Sequence, residues 1–392
     1  MYFHLNRMDK RMKSNEKGDG VNNGEGYPEL SRRPFKVMEN RVWRTYTGGM
    51  MIERWQGIEN PEDGNLPEEW VASTVNARNA GREHILNEGL SKIRPDNGQE
   101  LTLKEIIQSN PEMFLGKQHV DKYGDNLAVL VKVLDAKERL SIQVHPDRHF
   151  AKEAFRSDFG KTEAWYVLGG REVDGEKPYV LMGFKPDVSR QQWEKAFHDQ
   201  DIEGMINCLH KIPVEEGEVF LIEGGVPHAI GPGCFMIEIQ EPTDYTLRVE
   251  RTNNQGKELP DFLCHQGIGF QNMLNCFHYE TYDYTETLRR WKVQTVAKRQ
   301  DQNGEEVVLI GEDHTDRFRM EQLSVISSMV SKRQDEFYIA VIVSGDGIMD
   351  YGEGKMEIKT SDQIFVPEGA GDIKWINIGK KDLQVVLCRP PL

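Results

Sequence analysis

Thiols are scarce in this chain: five cysteines in 392 residues (Cys208, Cys234, Cys264, Cys276 and Cys388), with no CxxC pair among them. An odd, scattered set argues against a disulfide framework and against a thiolate metal site, so any metal must be held by nitrogen and oxygen. No apolar run approaches the length that spans a bilayer, and no membrane association is expected. Cations are in the minority, 49 Lys and Arg against 64 Asp and Glu, giving a net charge of −15. That balance argues against non-specific binding to nucleic acid or acidic membranes. It leaves an anionic substrate open, because a few local cations override a global field. The N-terminal segment has no apolar core followed by a cleavage site, and with reduced thiols this points to the cytoplasm.

What is present is mostly β-forming. Residues 1–27 are polar and rich in Gly and Asn and read as a disordered tail. Beyond them, runs rich in Val, Ile, Tyr and Trp, punctuated by Gly, Asp and Pro, predict strands over 126–135, 139–146, 163–170, 179–184, 217–225, 234–240 and 246–251. Thr102 with Glu105, and Ser189 with Gln192, are N-terminal helix signals. A further helix is expected over 201–212. Residues 252–290 read as helix or loop, and 291–392 as short strands with closely spaced turns, hence a sandwich or barrel. The organisation expected is therefore a tail (1–27), a metal-binding domain with helical insertions (28–290) and a C-terminal β domain (291–392). GEVFLIEGGVPH (217–228) can be laid without gaps over SDQIFVPEGAGD (361–372), setting His228 against Asp372, which suggests two copies of one β unit.

Four polar residues stand out at positions where strands usually carry apolar ones. Gln143 and His145 share a strand face, Glu163 opens another strand, and His228 follows a Gly-rich turn. Imidazole nitrogen with carboxylate oxygen suits a borderline divalent ion, and the neutral Gln143 amide would leave that ion strongly polarising. Lys161 precedes Glu163 by two residues and shares its side of the strand; an anion arriving there would offset its charge. His149 and His210 read as exposed helix or turn residues.

The segments LVKVLDAKERLSIQVHPDRHFAKEAF, FGKTEAWYVL, GEVFLIEGGVPHAIGPGCFMIEIQ and TDYTLRVER together resemble the type I mannose-6-phosphate isomerases of the cupin superfamily, in the shorter bacterial form. Weaker similarity runs from RRPFKVMENRVWRTYTGG through EEWVAST. The resemblance implies two cupin (jelly-roll) β-barrels, mainly β with inserted helices, the second barrel degenerate and without metal ligands. It implies Gln143, His145, Glu163 and His228 as ligands of one zinc ion per chain. It further implies Ser141, Lys161 and Lys132 near a sugar phosphate, and Arg248 over the substrate, assisting proton transfer. The expected reaction interconverts mannose 6-phosphate and fructose 6-phosphate through an enediolate. Glu238, Lys161, His149 and a metal-bound hydroxide all remain open as the base. An alternative is a metal-binding cupin acting on or sensing a different sugar, phosphorylated or free; an iron-dependent dioxygenase is disfavoured because Gln143 stands where histidine is expected. Two departures stand out. Glu223 replaces the usual Pro of the second cupin motif, and Glu241 and Asp244 add negative charge near Arg248. A small-molecule sugar phosphate is the expected partner; no signal of oligomeric state is present.

Overall fold

The computed structural model describes residues 27–79, 81–95, 98–253 and 256–392. The polar tail lies outside the described residues except for Tyr27, which packs against the core. Among the described residues no helix is long and apolar enough to cross a membrane.

The chain is mainly β, and its strands form two double-layered units. In the first, a seven-stranded antiparallel sheet runs in the order Lys292–Val293, Val219–Ile222, Glu163–Gly170, Cys234–Gln240, Leu130–Asp135, Glu68–Val71, Arg41–Val42. It faces a five-stranded sheet ordered Leu209–Pro213, Tyr179–Phe184, His228–Ile230, Gln143–Val144, Leu247–Arg248. The second unit pairs another seven-stranded sheet, built around Tyr338–Ser344 and Leu383–Arg389, with a four-stranded one around Ile373–Asn377. The strand Phe35–Lys36 is an early outlier. It pairs with Gln363–Val366 at the edge of the second unit.

Period-2 alternation sorts the side chains of these strands into layers. Leu134, Trp165, Val167, Phe220, Ile222 and Met236 face inward and meet Val180, Met182 and Ile230 of the five-stranded sheet. Their neighbours Val131, Val133, Ala164, Tyr166 and Ile237 face outward and pack with Ile339, Val341, Phe365 and Val386 of the second unit. The outer face of the five-stranded sheet carries Ile142, Val144, Leu181 and Leu247 and is covered by Trp193, Phe197 and Met205, from the helices Arg190–Asp199 and Ile202–Asn207. Those helices start where expected. Ser189 and Asp201 accept hydrogen bonds from the amides of Gln192 and Gly204, and Thr102 and Glu105 form a reciprocal capping box.

Three expectations are corrected. Only Gln143–Val144 of the stretch 139–146 is ladder-paired. The amides before it are satisfied otherwise, Leu140 by the Ile230 carbonyl at 2.9 Å and Ile142 by the Glu250 carboxylate at 2.6 Å. The helix expected over 201–212 stops at Asn207, and Leu209–Pro213 pairs with Tyr179–Phe184 as a strand. His210 is consequently buried, its Nε2 2.8 Å from the Tyr282 carbonyl. Ser328–Ser331, too short and polar to be noticed in the sequence, forms an edge strand against Ile373–Asn377.

One buried carboxylate stands between the two seven-stranded sheets. Glu69 shares the outward face with Val71 and accepts hydrogen bonds from Gln363 Nε2 (2.8 Å), the Asn40 amide (2.5 Å) and Gln56 Nε2 (3.0 Å). Burial outweighs these donors and pushes its carboxyl up to about 7 from 4.5. A folded-state value above the unfolded one means stability that is full below about 4.5 and declines as pH rises through about 7. A shift of that size corresponds to on the order of 3 kcal/mol. Urea denaturation of the wild type is therefore expected to show falling stability from pH 5 to pH 8, and Glu69→Gln to flatten that slope; equal slopes in the two proteins would contradict it.

Candidate metal centre

Glycines let three loops meet. A Cβ on Gly160 would lie 2.6 Å from the Pro146 carbonyl oxygen, and one on Gly224 would lie 2.4 Å from the Asp147 amide, so no side chain fits at either position. With both bare, the Pro146–Asp147 turn nests between the loops leading to Glu163 and to His228. Backbone hydrogen bonds close the arrangement, Lys161 N–H to the Pro146 carbonyl (2.9 Å) and Gly225 N–H to the His145 carbonyl (2.8 Å). His228 lies opposite Gln143 in the ladder.

The outcome is a buried convergence of donors. His145 Nε2 is 3.1 Å from Glu163 Oε2, and His228 Nε2 is 3.4 Å from Glu163 Oε1. Ligand atoms of the three residues all lie within 4.8 Å of one another. The Gln143 amide nitrogen is 3.2 Å from His228 Nε2; turning the amide over would present its oxygen there instead. His145 Nδ1 lies 2.8 Å from the Tyr245 carbonyl and His228 Nδ1 lies 2.9 Å from the Val226 carbonyl. A carbonyl can only accept, so each Nδ1 carries the proton and each Nε2 lone pair points at the centre. Lys161 Nζ donates to His145 Nε2 at 2.8 Å and to Glu163 Oε2.

Electrostatics favour a cation at this point. Burial and the Lys161 ammonium pull His145 down to about 3, so its ring is neutral. Burial alone would raise Glu163, but the Lys161 ammonium holds it well below the usual carboxylate range. Glu163 Oε1 is fully buried with no hydrogen-bond donor, since the nearby His228 nitrogen is itself an acceptor. Two imidazoles with their Nε2 atoms facing the carboxylate, an ionised carboxylate with an unsatisfied oxygen and an amide fit a divalent ion with nitrogen and oxygen ligands.

Beside this cluster lies a cleft, partly open to solvent, bordered by Gln143 and Lys161 and also by Lys132, Ser141, Glu238 and Arg248. Lys132 Nζ is 2.9 Å from Glu238 Oε1; burial would lower this ammonium, but Glu238 and Glu68 keep it above its ordinary value. Arg248 donates to the Leu263 carbonyl at 2.9 Å, and burial lowers its pKa. His149 stands exposed on the helix Arg148–Phe155, 3.6 Å from Glu153.

The two acidic residues expected to crowd Arg248 are neutralised elsewhere. Glu241 accepts from Arg148 Nε at 2.6 Å and from the Thr162 amide at 3.0 Å. Asp244 is clasped by both terminal nitrogens of Arg44 at 3.2 Å, and Arg44 Nε also meets Glu68 at 2.9 Å. Despite its burial, Arg44 and Lys132 hold Asp244 down at about 2. Glu68 is further held by Tyr46 OH (2.8 Å) and Trp70 Nε1 (2.7 Å). Arg44, Tyr46 and Glu68 were not singled out in the sequence. The available signal was a glutamate at the inward position of EEWV, where alternation calls for an apolar side chain. Arg44→Met leaves two buried carboxylates without their shared cation and should cost about 3–5 kcal/mol. Urea melts check this, and a loss under about 1 kcal/mol would show the network to be dispensable.

Residues 37–164 match the type I phosphomannose isomerase catalytic domain, a span that holds Lys132, Ser141, Gln143, His145, Lys161 and Glu163. The mannose-6-phosphate isomerase of Streptococcus mutans is 26% identical over 283 residues, covering 69% of this chain and 79% of the relative. ManA of Bacillus subtilis is 24% identical over 293 residues, covering 73% and 82%. GmuF of the same organism is 32% identical over 160 residues, only 40% of this chain and 47% of its own length. In three dimensions the crystal structure of the Bacillus subtilis mannose 6-phosphate isomerase superposes with a TM-score of 0.71 at 20% identity, over 91% of this chain and 99% of that one. In motif, in the matched segment 37–164 and in fold, the chain is similar to the type I phosphomannose isomerases.

Proposed function

We propose that this protein is a metal-dependent aldose–ketose isomerase that interconverts mannose 6-phosphate and fructose 6-phosphate, with one zinc ion held by Gln143, His145, Glu163 and His228. The observation that carries the reading is the pair of Nε2 atoms aimed at one buried carboxylate beside a cation-lined cleft that Gln143 and Lys161 border. In this reading the first double-layered unit, drawn from 28–290 with Lys292–Val293 added at its edge, is the working cupin barrel, and the second, drawn from 291–392 with Phe35–Lys36 added at its edge, is a degenerate barrel that buttresses it. A divalent ion at the cluster supplies electrostatic stabilisation where the enediolate charge develops.

The chain's own residues do the rest. Ser141, Lys132 and Lys161 contact the sugar phosphate, and Lys161 also donates to a substrate oxygen. Glu238 takes the carbon-bound proton from one of the two adjacent carbons and returns it to the other. Glu238 borders the cleft with its Oε1 at Lys132 and its Oε2 3.1 Å from Trp165 Nε1, which fixes its orientation. Arg248, a guanidinium that stays protonated even when buried, stabilises the enediolate charge rather than moving a proton.

Elemental analysis of purified protein is expected to find close to one zinc per chain, and a coupled assay to show turnover of mannose 6-phosphate. His145→Ala should lose the metal and reduce kcat/KM by about a thousandfold or more, a loss of the size that follows when a group stabilising developing charge is removed. Full activity of a metal-free protein, or an inactive zinc-loaded one beside an active control isomerase, would overturn the reading.

A further inference from the structure

The cleft is positive although the chain is acidic: six of its lining residues are cationic (Arg44, Arg78, Lys132, Arg139, Lys161, Arg248) and three are carboxylates. Most of these cations are already committed. Arg44 is bound to Glu68 and Asp244, Lys132 to Glu238, Arg139 to Glu250 and Lys161 to Glu163. Arg78 is different. It is exposed, and its guanidinium lies over the Tyr245 ring, 4.7 Å from the centroid, with no carboxylate partner among the described residues. Its backbone N–H, not its side chain, meets Asp244, at 2.9 Å.

The position of Arg78 relative to the metal centre is set by one residue. The Tyr245 carbonyl holds His145 Nδ1, and the Tyr245 ring, stacked on Phe155 at 4.3 Å, supports the guanidinium. A stacked guanidinium gives up little side-chain freedom on binding, and its planar fork matches two phosphate oxygens. One residue, Tyr245, thus touches His145 with its carbonyl and Arg78 with its ring, and Arg78 borders the same cleft as Gln143 and Lys161. Lys132, in contrast, is buried against Glu238.

We propose that Arg78 is a further specificity-determining residue, which joins Ser141, Lys132 and Lys161 in binding the substrate's phosphate dianion from the exposed side of the cleft. The assignment rests on the isomerase reading for the identity of the sugar, but not for the binding of phosphate. Two measurements separate them: KM and kcat for fructose 6-phosphate, and the affinity for inorganic phosphate by titration calorimetry. Both are made on the zinc-loaded wild type, Arg78→Gln, Arg78→Lys, and Lys380→Gln as a control for removing one surface cation. Arg78→Gln should raise KM and weaken phosphate binding by about tenfold or more, as expected for a lost charge-assisted pair. Its kcat should change less than about threefold, because the contact is uniform along the reaction. Arg78→Lys should recover part of the loss, and Lys380→Gln should match the wild type. Values for Arg78→Gln within about twofold of the wild type overturn the proposal, as does a fall in kcat at constant KM. A wild type that binds phosphate through Arg78 without turning over fructose 6-phosphate upholds the assignment and removes the isomerase reading alone.

Discussion

Two hydrogen bonds to backbone carbonyls set the chemistry of this protein. A histidine can present either ring nitrogen as a lone pair, and in water the choice is nearly free. Here the Tyr245 and Val226 carbonyls take the Nδ1 protons of His145 and His228, so both Nε2 atoms are left as acceptors facing Glu163. Acceptors facing acceptors in a buried space are costly unless a positive group stands among them. Lys161 supplies part of that charge from one side, and a divalent ion would supply more. The site is thus preorganised for a cation by groups outside the ligand set, and these depend in turn on Gly160 and Gly224 allowing three loops to touch.

The same reasoning explains why so many charges can be buried in the cleft wall. Each ion is expensive to desolvate alone, and breaking a partnership leaves its cost uncompensated. The wall meets this with multiple partners. Asp244 and Glu68 share Arg44, Glu68 adds two neutral donors, and Glu238 is held by Lys132 and Trp165. The carboxylates flanking Arg248 are thereby largely offset, since Asp244 and Glu68 share Arg44 and Glu238 pairs with Lys132, and the two that the sequence placed beside it, Glu241 and Asp244, each have a cation of their own to face. An overall charge of −15 and a cleft with surplus cations coexist because local pairing, not the net count, sets the potential a substrate meets.

How much of this was legible in the sequence follows from where the information lies. Strands 163–170, 179–184 and 234–240 have the bounds expected of them because both faces are buried along most of their length, which gives near-continuous apolar runs in the sequence. The alternation in QVH puts Gln143 and His145 on one face, and the KTE spacing does the same for Lys161 and Glu163. Those are local facts. The stretch 139–146 failed as a continuous strand because Ile142 bonds to the Glu250 side chain 108 residues away, which no local pattern encodes. His210 is buried for a related reason: a strand at the edge of the five-stranded sheet replaces the expected helix, and its polar tip meets a distant carbonyl at Tyr282. Arg44 and Asp244 are 200 residues apart, and their pairing exists only once the fold brings the strand ends together.

The second β unit matters to the site through the sheet it covers. A strand delivers alternate residues to opposite faces, so a polar inward row such as Lys132, Glu163 and Glu238 can be held still only if the outward row is firmly packed. Val131, Val133, Ala164, Tyr166, Ile237 and Ile239 form that outward row, and all pack against the second unit in one continuous core. Left to solvent, this apolar face would favour slippage or association, and the inward groups would lose the register that makes them converge. The strands Val219–Ile222 and Gln363–Val366 occupy equivalent positions in the segments that align without a gap, and where His228 follows the first, Asp372 follows the second and pairs at the surface with Lys332. In this chain, the packing of the second unit holds the sheet that carries Glu163 in place.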